Sequence, residues 1–106
     1  MLADTHVCED GKVLYASDSI TDVLGYVADD VIGKTCFDYF HDDEKENAIK
    51  LFDRSMKGDK AAVLNYCRLK RKNGEYIVCE CVFTVVYNVV VACTSLYQFT
   101  SKSQGT

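Results

Sequence analysis

Proline is absent from this chain of 106 residues, and so are long hydrophobic runs. No window reaches the roughly 18 consecutive apolar residues that a membrane-spanning helix requires. The first residues, Met1 to Asp4, contain neither the basic region nor the apolar stretch of a secretory signal peptide. We therefore expect a protein inside the cell, in the nucleus or the cytoplasm, with no membrane partner.

Basic residues are outnumbered by acidic ones, and the formal net charge is -4. Because phosphate binding requires a basic face, this balance argues against nucleic acid as a direct partner. One basic cluster leads into a predicted turn, and we interpret it as the solvated end of a hairpin. Its members are Arg68, Lys70, Arg71 and Lys72.

Internal repeats, linkers and low-complexity stretches are also missing from the sequence. The length fits one domain, and 48% apolar residues suffice for one core. We expect a single domain over residues 1–106 with its core at about 5–99. Residues 100–106 are small and polar and are predicted to form a flexible tail.

Six cysteines are a high count for this length. A disulfide framework is typical of secreted chains that carry a signal peptide. We therefore expect reduced cysteines that are mostly buried as small hydrophobic residues.

The first half of the chain reads as two short strands followed by short helices. A turn at Gly11 separates the strands, and the second strand is predicted at 13–17. Ser19 has the spacing of an N-cap before a helix that Gly25 ends. Further short turns of helix are predicted at 29–32 and around Phe37.

One longer helix is predicted to begin near Asp42 or Asp43, which has capping spacing to Glu46. An apolar or small stripe recurs along it at helical period, and Gly58 ends it. The stripe consists of Ala48, Ile49, Phe52, Ser55 and Met56.

After this helix the pattern changes to that of strands, predicted at 62–70, 76–87 and 89–99. Asn73-Gly74 predicts a type I′ hairpin turn, since both residues tolerate a positive φ. Tyr87-Asn88 predicts a second turn.

This order of elements resembles the PAS fold, and so do the residues at its joints. Four segments carry the resemblance: 13–26, which contains YASDSITDVLGY, 31–35, 37–44 and 71–76. They cover most of the chain between residues 5 and 99. The resemblance implies an α+β fold with a five-stranded antiparallel sheet, whose one face is covered by short helices and one longer helix.

Within the PAS proteins, the sequence resembles fungal white collar-type regulators, which are linked to light responses. The segments that suggest this are 15–26 and the cysteine-rich stretch 78–97. Ala28 and Asp42 stand where the family commonly has proline, and Asp42 can still cap a helix.

Cys36 is the candidate cofactor-binding residue. Residues 33–37, GKTCF, line up with the G-R-N-C-R motif of LOV photosensors, whose cysteine adds to a flavin. Phe37 departs from that motif, and Val78-Cys79 replaces the Trp-Asn pair expected on one strand. A buried flavin ring needs polar partners for its edges. No cofactor is therefore expected, and flavin is kept as an alternative beside a structural Cys36.

Two histidines offer haem ligation as another alternative, since some PAS sensors bind haem. His41 lies in the FHDD joint, where the family usually has a histidine that bonds the start of a helix. His6 is the other candidate.

Several cysteines are predicted on neighbouring strands. Cys79 and Cys81 are two residues apart on one strand and share a face. With Cys67 and Cys93 they could form a metal cluster, but the spacing lacks the usual zinc knuckle. Core filling is the preferred interpretation, and no metal is predicted.

Catalysis is not expected, because no constellation of catalytic residues emerges. The acid pairs Asp29-Asp30 and Asp42-Asp43 stand at helix starts, where the helix dipole favours them. Ser17 and Ser19 lack recognisable His and Asp partners.

The sheet face away from the helices is the candidate partner surface, because PAS domains commonly pair through it. Six residues are predicted to lie there: Tyr66, Val78, Val82, Thr84, Val86 and Thr94. The sequence thus predicts an interaction module of a signalling or transcription-regulatory complex, which pairs with itself or with another PAS-containing protein. The alternative is a sensor with flavin, haem or another ligand between the helices and the sheet.

Overall fold

A computed structural model of the chain describes residues 2–58 and 62–97. The predicted tail at 100–106, and the end of the predicted last strand at Phe99, lie outside the described residues. Five strands are present: β1 (Ala3–Cys8), β2 (Val13–Ala16), β3 (Val63–Lys70), β4 (Tyr76–Val86) and β5 (Val89–Leu96). Between β2 and β3 come α1 (Ile20–Leu24), α2 (Ala28–Val31), a 3-10 helix (Cys36–Tyr39) and α3 (Asp42–Lys57).

The strands form one antiparallel sheet in the order β2-β1-β5-β4-β3. The first and last strands are neighbours, and Thr5 of β1 pairs with Ala92 of β5. The predicted five-stranded antiparallel sheet is therefore confirmed. None of the described helices is long and apolar enough to cross a lipid bilayer.

The core lies between the helices and one face of the sheet. Side chains alternate between the two faces along a strand, so Cys79, Cys81 and Val85 of β4 point inward and are buried. Cys79 and Cys81 pack in one cluster with buried residues of the helices and their connections, which include Ile20, Val23, Leu24, Val31, Phe40 and Ala48, whereas Val85 packs with Val7, Val13 and Val90. This arrangement confirms that the helices cover one face.

Helix α3 begins at Asp42, as predicted, but two residues earlier than an Asp43 cap would place it. His41 is the N-cap, and its Nδ1 accepts a hydrogen bond from the Asp43 N–H at 3.1 Å. The predicted stripe holds for Ala48 and Ser55, which are buried, whereas Ile49 is 43% exposed. Ile49 therefore lies beside the apolar stripe rather than within it.

The predicted cap of α1 is only partly right. Ser19 does precede the helix, but its backbone is already helical and its side chain makes no capping hydrogen bond. Gly25 ends the helix as predicted. Helix α2 ends at Val31, one residue before the predicted limit.

The β3–β4 connection differs from the predicted two-residue turn. Lys70 pairs with Tyr76, which leaves five residues, 71–75, in the loop. Gly74 has a positive φ of 92°, but Asn73 does not. The Asn73 side chain instead accepts a hydrogen bond from the Glu75 N–H at 3.0 Å. A loop of this length replaces the type I′ turn because asparagine holds the bend through its side chain.

Candidate functional site

Two places in the fold could recognise another molecule. One is a cavity between the helices and the sheet, called here the inner cavity. The other is the side of the sheet that carries no helices, called here the outer face.

The inner cavity has a volume of about 90 Å³. Because a single water needs roughly 10–15 Å³, it has room for several waters or one small organic molecule. Its walls come from the sheet and from the helical layer and are mainly apolar. They include Val7, Leu24, Phe37, Phe40, Phe52, Leu69, Phe83, Val90 and Ala92.

Polar groups in the cavity wall are hydroxyls and thiols, and no lining side chain carries a formal charge. The Tyr26 hydroxyl donates to the Lys70 carbonyl at 2.7 Å, so it is already engaged. The Thr94 hydroxyl donates to the Cys81 sulfur at 3.8 Å. The cavity therefore suits a small uncharged molecule, because a charged one would lie buried without a counter-charge.

Cys36 does line the inner cavity, as the candidate ligand-facing thiol should. Burial, with a smaller effect of the Asp38 carboxylate, raises the pKa of Cys36 to about 12. The thiol thus stays protonated at neutral pH. The cavity is also far below the roughly 300–1,000 Å³ of sites for drug-sized ligands. The cavity as it stands is therefore smaller than the sites that hold ligands of the size of flavin or haem.

Neither histidine faces the inner cavity. His41 caps α3, and its ring packs edge to face against Tyr76 with centroids 4.7 Å apart. His6 stacks beside Tyr15 with ring centroids 4.9 Å apart. Both rings therefore lie outside the wall of the inner cavity, and haem ligation stays an alternative that rests on the sequence.

The cysteines of the sheet divide between its two faces. Cys67, Cys79 and Cys81 point inward and are buried. Cys93 lies on the outer face, where its thiol donates to the Asp4 carboxylate at 2.8 Å. A four-cysteine metal cluster is therefore geometrically impossible, since Cys93 is separated from the others by the sheet.

Two of the inward cysteines are in direct contact. The Cys67 and Cys81 sulfur atoms are 3.5 Å apart. The hydrogen bond from Cys67 lowers the pKa of Cys81 and, together with burial, raises the pKa of Cys67. Cys79 has no such contact, and its thiol points to the Ile77 carbonyl at 3.7 Å. Burial raises the pKa of Cys79 to about 12.

The outer face presents five of the six residues predicted for it. Tyr66, Val78 and Val86 are exposed, while Val82 and Thr84 are half-buried. The prediction is wrong for Thr94, which is buried on the inner face and lines the cavity. The last strand, VVVACTSL, has no clear alternation of polar and apolar residues, so its register could not be read from the sequence.

Three further side chains of the outer face are missed by the sequence-based prediction. Leu64, Tyr76 and Tyr97 are all exposed by 42% or more. Leu64 could have been found by counting two residues back from Tyr66, because alternate residues share a face. Tyr97 reaches Tyr66 across the sheet, with ring centroids 5.0 Å apart. Long-range strand pairing sets that contact, and no local pattern reveals it.

One acidic residue stands among these apolar groups. Glu80 is half-buried and pairs with Tyr66 on one side and with Ser95 on the other. None of the cationic side chains in residues 2–58 and 62–97 forms an ion pair with it. Glu80 thus places a carboxylate without an ion pair among the exposed aromatic and aliphatic groups of the outer face.

Comparison with known proteins gives relatives among regulatory proteins. The aryl hydrocarbon receptor nuclear translocator homolog of Drosophila melanogaster is 29% identical over 68 residues, which are 64% of this chain and 11% of that protein. Hypoxia-inducible factor 1-alpha of Gallus gallus is 29% identical over 80 residues, 74% of this chain and 10% of that protein. The chain thus spans about a tenth of the length of these curated relatives.

Solved structures share the fold at low identity. The PAS-B domain of Drosophila melanogaster Cycle, with bound ethylene glycol, superposes with a TM-score of 0.82 at 19% identity, covering 92% of this chain and 100% of that one. The PAS domain of the Cronobacter turicensis RpfR quorum-sensing receptor, in complex with BDSF, gives 0.80 at 10% identity, covering 92% and 94%. A family model described as the PAS fold matches residues 13–92. The chain therefore belongs to the PAS family.

Proposed function

We propose that this PAS domain is a protein-interaction module whose outer face binds the sheet of a second PAS domain. The partner is another copy of this chain or the PAS domain of a different protein. The observation that carries the proposal is the group of exposed apolar side chains on β3, β4 and at the end of β5. Its most exposed members are Leu64, Tyr66, Tyr76, Val78, Val86 and Tyr97.

Their physical chemistry favours a protein partner. Contiguous apolar groups on a surface are costly to leave in water and commonly mark interaction sites. Tyrosine is enriched among the residues that dominate binding energy, because it combines a large apolar ring with a polar tip. Tyr66 and Tyr97 already hold each other in place, so little rotamer freedom would be lost on binding.

The Glu80 carboxylate adds a requirement for the partner. Burying an unpaired charge at an interface is costly. A matching surface would therefore be apolar around a cation or a hydrogen-bond donor opposite Glu80.

The kind of complex in which this domain acts is proposed from its relatives. Their names describe a nuclear translocator and a hypoxia-inducible factor. We infer that this domain acts without catalysis in a transcription-regulatory or signalling complex, in the nucleus or the cytoplasm, and that it contacts neither nucleic acid nor membrane itself. A white collar-type light-response role stays a prediction from the sequence.

Sedimentation equilibrium of the chain over a wide concentration range tests the proposal. Val78→Glu places a charge on the outer face and is expected to shift self-association to higher concentration. Ile49→Glu is the matched control, because Ile49 is similarly exposed but lies on α3. Both variants add the same charge, so a general effect of charge would appear in both.

A second arm mixes the chain with the PAS-B domain of Cycle and measures hetero-association by titration calorimetry. Self-association or hetero-association that Val78→Glu weakens and Ile49→Glu leaves intact supports the proposal. A chain that stays monomeric and also fails to bind the Cycle domain excludes both of these pairings, and an equal effect of both variants overturns the outer face as the binding surface.

A second candidate function is the sensing of a small uncharged molecule in the inner cavity. The observation that favours it is the uncharged, mainly apolar cavity of about 90 Å³. Titration of the labelled chain with 1-propanol, followed by amide chemical shifts, is expected to perturb residues around the cavity. Ala92→Leu narrows the cavity and should abolish those shifts. Shifts that persist in a folded Ala92→Leu variant would place the binding elsewhere.

A further inference from the structure

Neither partner binding at the outer face nor ligand binding in the inner cavity accounts for two neighbouring thiols on the inner face of the sheet. Cys67 on β3 and Cys81 on β4 place their sulfur atoms 3.5 Å apart. Both side chains are buried, with exposures of 3% and 1%. We propose that Cys67 and Cys81 form a reversible dithiol–disulfide site, which a hydroperoxide oxidises through the inner cavity.

The strand register accounts for the pairing. Cys67 lies directly opposite Cys79, and Cys81 is the diagonal neighbour, two residues further along β4. The side chains nevertheless turn so that Cys67 meets Cys81, while the Cys79 thiol points to the Ile77 carbonyl. The Cys81 sulfur is therefore the one placed to bond with Cys67, although Cys79 is the residue directly opposite Cys67 in the strand pairing.

The two sulfurs differ in their surroundings. Cys81 lines the inner cavity, which has room for a molecule the size of a peroxide. Its sulfur has hydrogen-bond contacts with Cys67 and with the Thr94 hydroxyl at 3.8 Å. Donors aimed at one sulfur favour its thiolate, which is the nucleophilic form. Cys36 also lines the cavity, but burial raises the pKa of its thiol to about 12, so it stays protonated.

The chemistry has two balanced steps. The Cys81 thiolate attacks one peroxide oxygen, the O–O bond breaks, and the released hydroxide takes a proton to leave as water. Cys81 is then a sulfenic acid. The Cys67 sulfur attacks the Cys81 sulfur, the S–O bond breaks, and the thiol proton of Cys67 passes to the leaving hydroxide, which departs as a second water. Overall, two thiols and one hydrogen peroxide give one disulfide and two waters.

Formation of the bond must draw the two sulfurs from 3.5 Å to about 2.05 Å. Because the two residues are diagonal neighbours in the strand pairing, we expect the movement to shift β3 along β4. A disulfide formed in this way is strained, and strained disulfides are the readily reduced ones. We therefore expect dithiothreitol to restore the dithiol form.

Peptide mapping of the folded chain tests the site. The reduced chain is treated with hydrogen peroxide, quenched with N-ethylmaleimide and digested without reductant. Trypsin separates Cys67 from the other two by cutting at Arg68 and Lys72, and a glutamate-specific protease separates Cys79 from Cys81 by cutting at Glu80. The expected major product is a Cys67–Cys81 cross-link that dithiothreitol removes.

Three controls distinguish the possible outcomes. Cys79→Ser should retain the cross-link and Cys81→Ser should lose it, while oxidation in strong denaturant should give mixed pairings. A major Cys67–Cys79 or intermolecular product in the folded wild type overturns the proposal. Oxidation that stops at sulfinic or sulfonic acids, or no reaction at all, overturns it too. The mapping of the wild-type chain decides this even if a variant fails to fold.

Discussion

Tyr66 on β3 and Tyr97, the residue after β5, meet edge to face with ring centroids 5.0 Å apart, although β4 lies between their strands. The two rings bridge the middle strand on the outer face, and both are substantially exposed, at 52% and 42%. Edge-to-face pairs of this kind fix ring orientation. The pair thus gives the outer face an ordered aromatic feature that a partner can pack against.

Replacing one ring of this pair should weaken association. Tyr66→Thr keeps a good strand former but removes the ring. We expect the dissociation constant of the complex to rise about tenfold or more, which corresponds to a hot-spot contribution above roughly 1.4 kcal/mol. Sedimentation equilibrium or titration calorimetry measures the change.

Tyr15→Thr is the matched control for this substitution. Tyr15 is also an exposed strand tyrosine, at 46%, and it contacts His6 near the other end of the sheet. Its replacement should leave the dissociation constant close to that of the wild type. An equal loss in both variants would contradict a binding surface centred on β3–β5.

Much of the fold can be predicted because its boundaries are local signals. Gly25 and Gly58 end helices where the sequence indicates. The change from helical to strand period between α3 and β3 is visible in the sequence as well. Such signals depend only on neighbouring residues, so no tertiary information is needed to read them.

The errors arise where distant contacts decide the outcome. The sequence places Thr94 on the outer face because its strand lacks alternation, whereas pairing with Cys81 turns it inward. The strand order also depends on the contact of β1 with β5, which are far apart in sequence. His41 does bond the start of a helix as expected, but the sequence alone could not separate that role from haem ligation.

The turn between β4 and β5 offers a stabilising substitution. Tyr87 has a positive φ of 55° and its side chain is 89% exposed, so the ring gains almost no packing in return for a disfavoured backbone. Tyr87→Gly should therefore raise the free energy of unfolding by about 0.5–1 kcal/mol. Urea denaturation of the two proteins measures the difference.

Asn88→Gly is the control, because Asn88 is the other turn residue and does not have a positive φ. It should give no stabilisation, since glycine there only increases the entropy of the unfolded chain. Equal stabilisation by both substitutions would show that the positive φ of Tyr87 is not the cause.

Gly11 lies in a tight approach between the β1–β2 turn and the 3-10 helix. It has a φ of 90°, and a Cβ atom there would stand 2.8 Å from the Phe37 ring. Gly11→Ala should therefore destabilise the fold through both backbone strain and overpacking. We expect a loss of about 2–4 kcal/mol in the free energy of unfolding.

Gly74→Ala separates these two effects. Gly74 has nearly the same φ, 92°, but a Cβ atom there would have no heavy atom within 4 Å. Its substitution should cost only the backbone strain of about 1–2 kcal/mol. If the two variants lose equal stability in urea denaturation, contact with Phe37 contributes nothing.

Alkaline pH should destabilise the fold because its buried thiols resist ionisation. Burial raises the pKa of Cys36 to about 12 from an ordinary 9.0, so the folded chain keeps a proton that the unfolded chain releases. The stability contributed by this thiol is fully present below about pH 9 and is lost as the pH rises towards about 12. Between about pH 8 and pH 10 the Cys36 share of the loss is on the order of 1 kcal/mol.

Urea denaturation at both pH values, for the wild type and for Cys36→Ala, measures this share. The variant should lose less stability between the two pH values than the wild type does. Ser55→Ala is the control, because Ser55 lines the same cavity but has no group that titrates in this range. It should show the full wild-type loss. If Cys36→Ala shows that full loss as well, the thiol ionises as easily in the folded chain as in the unfolded one.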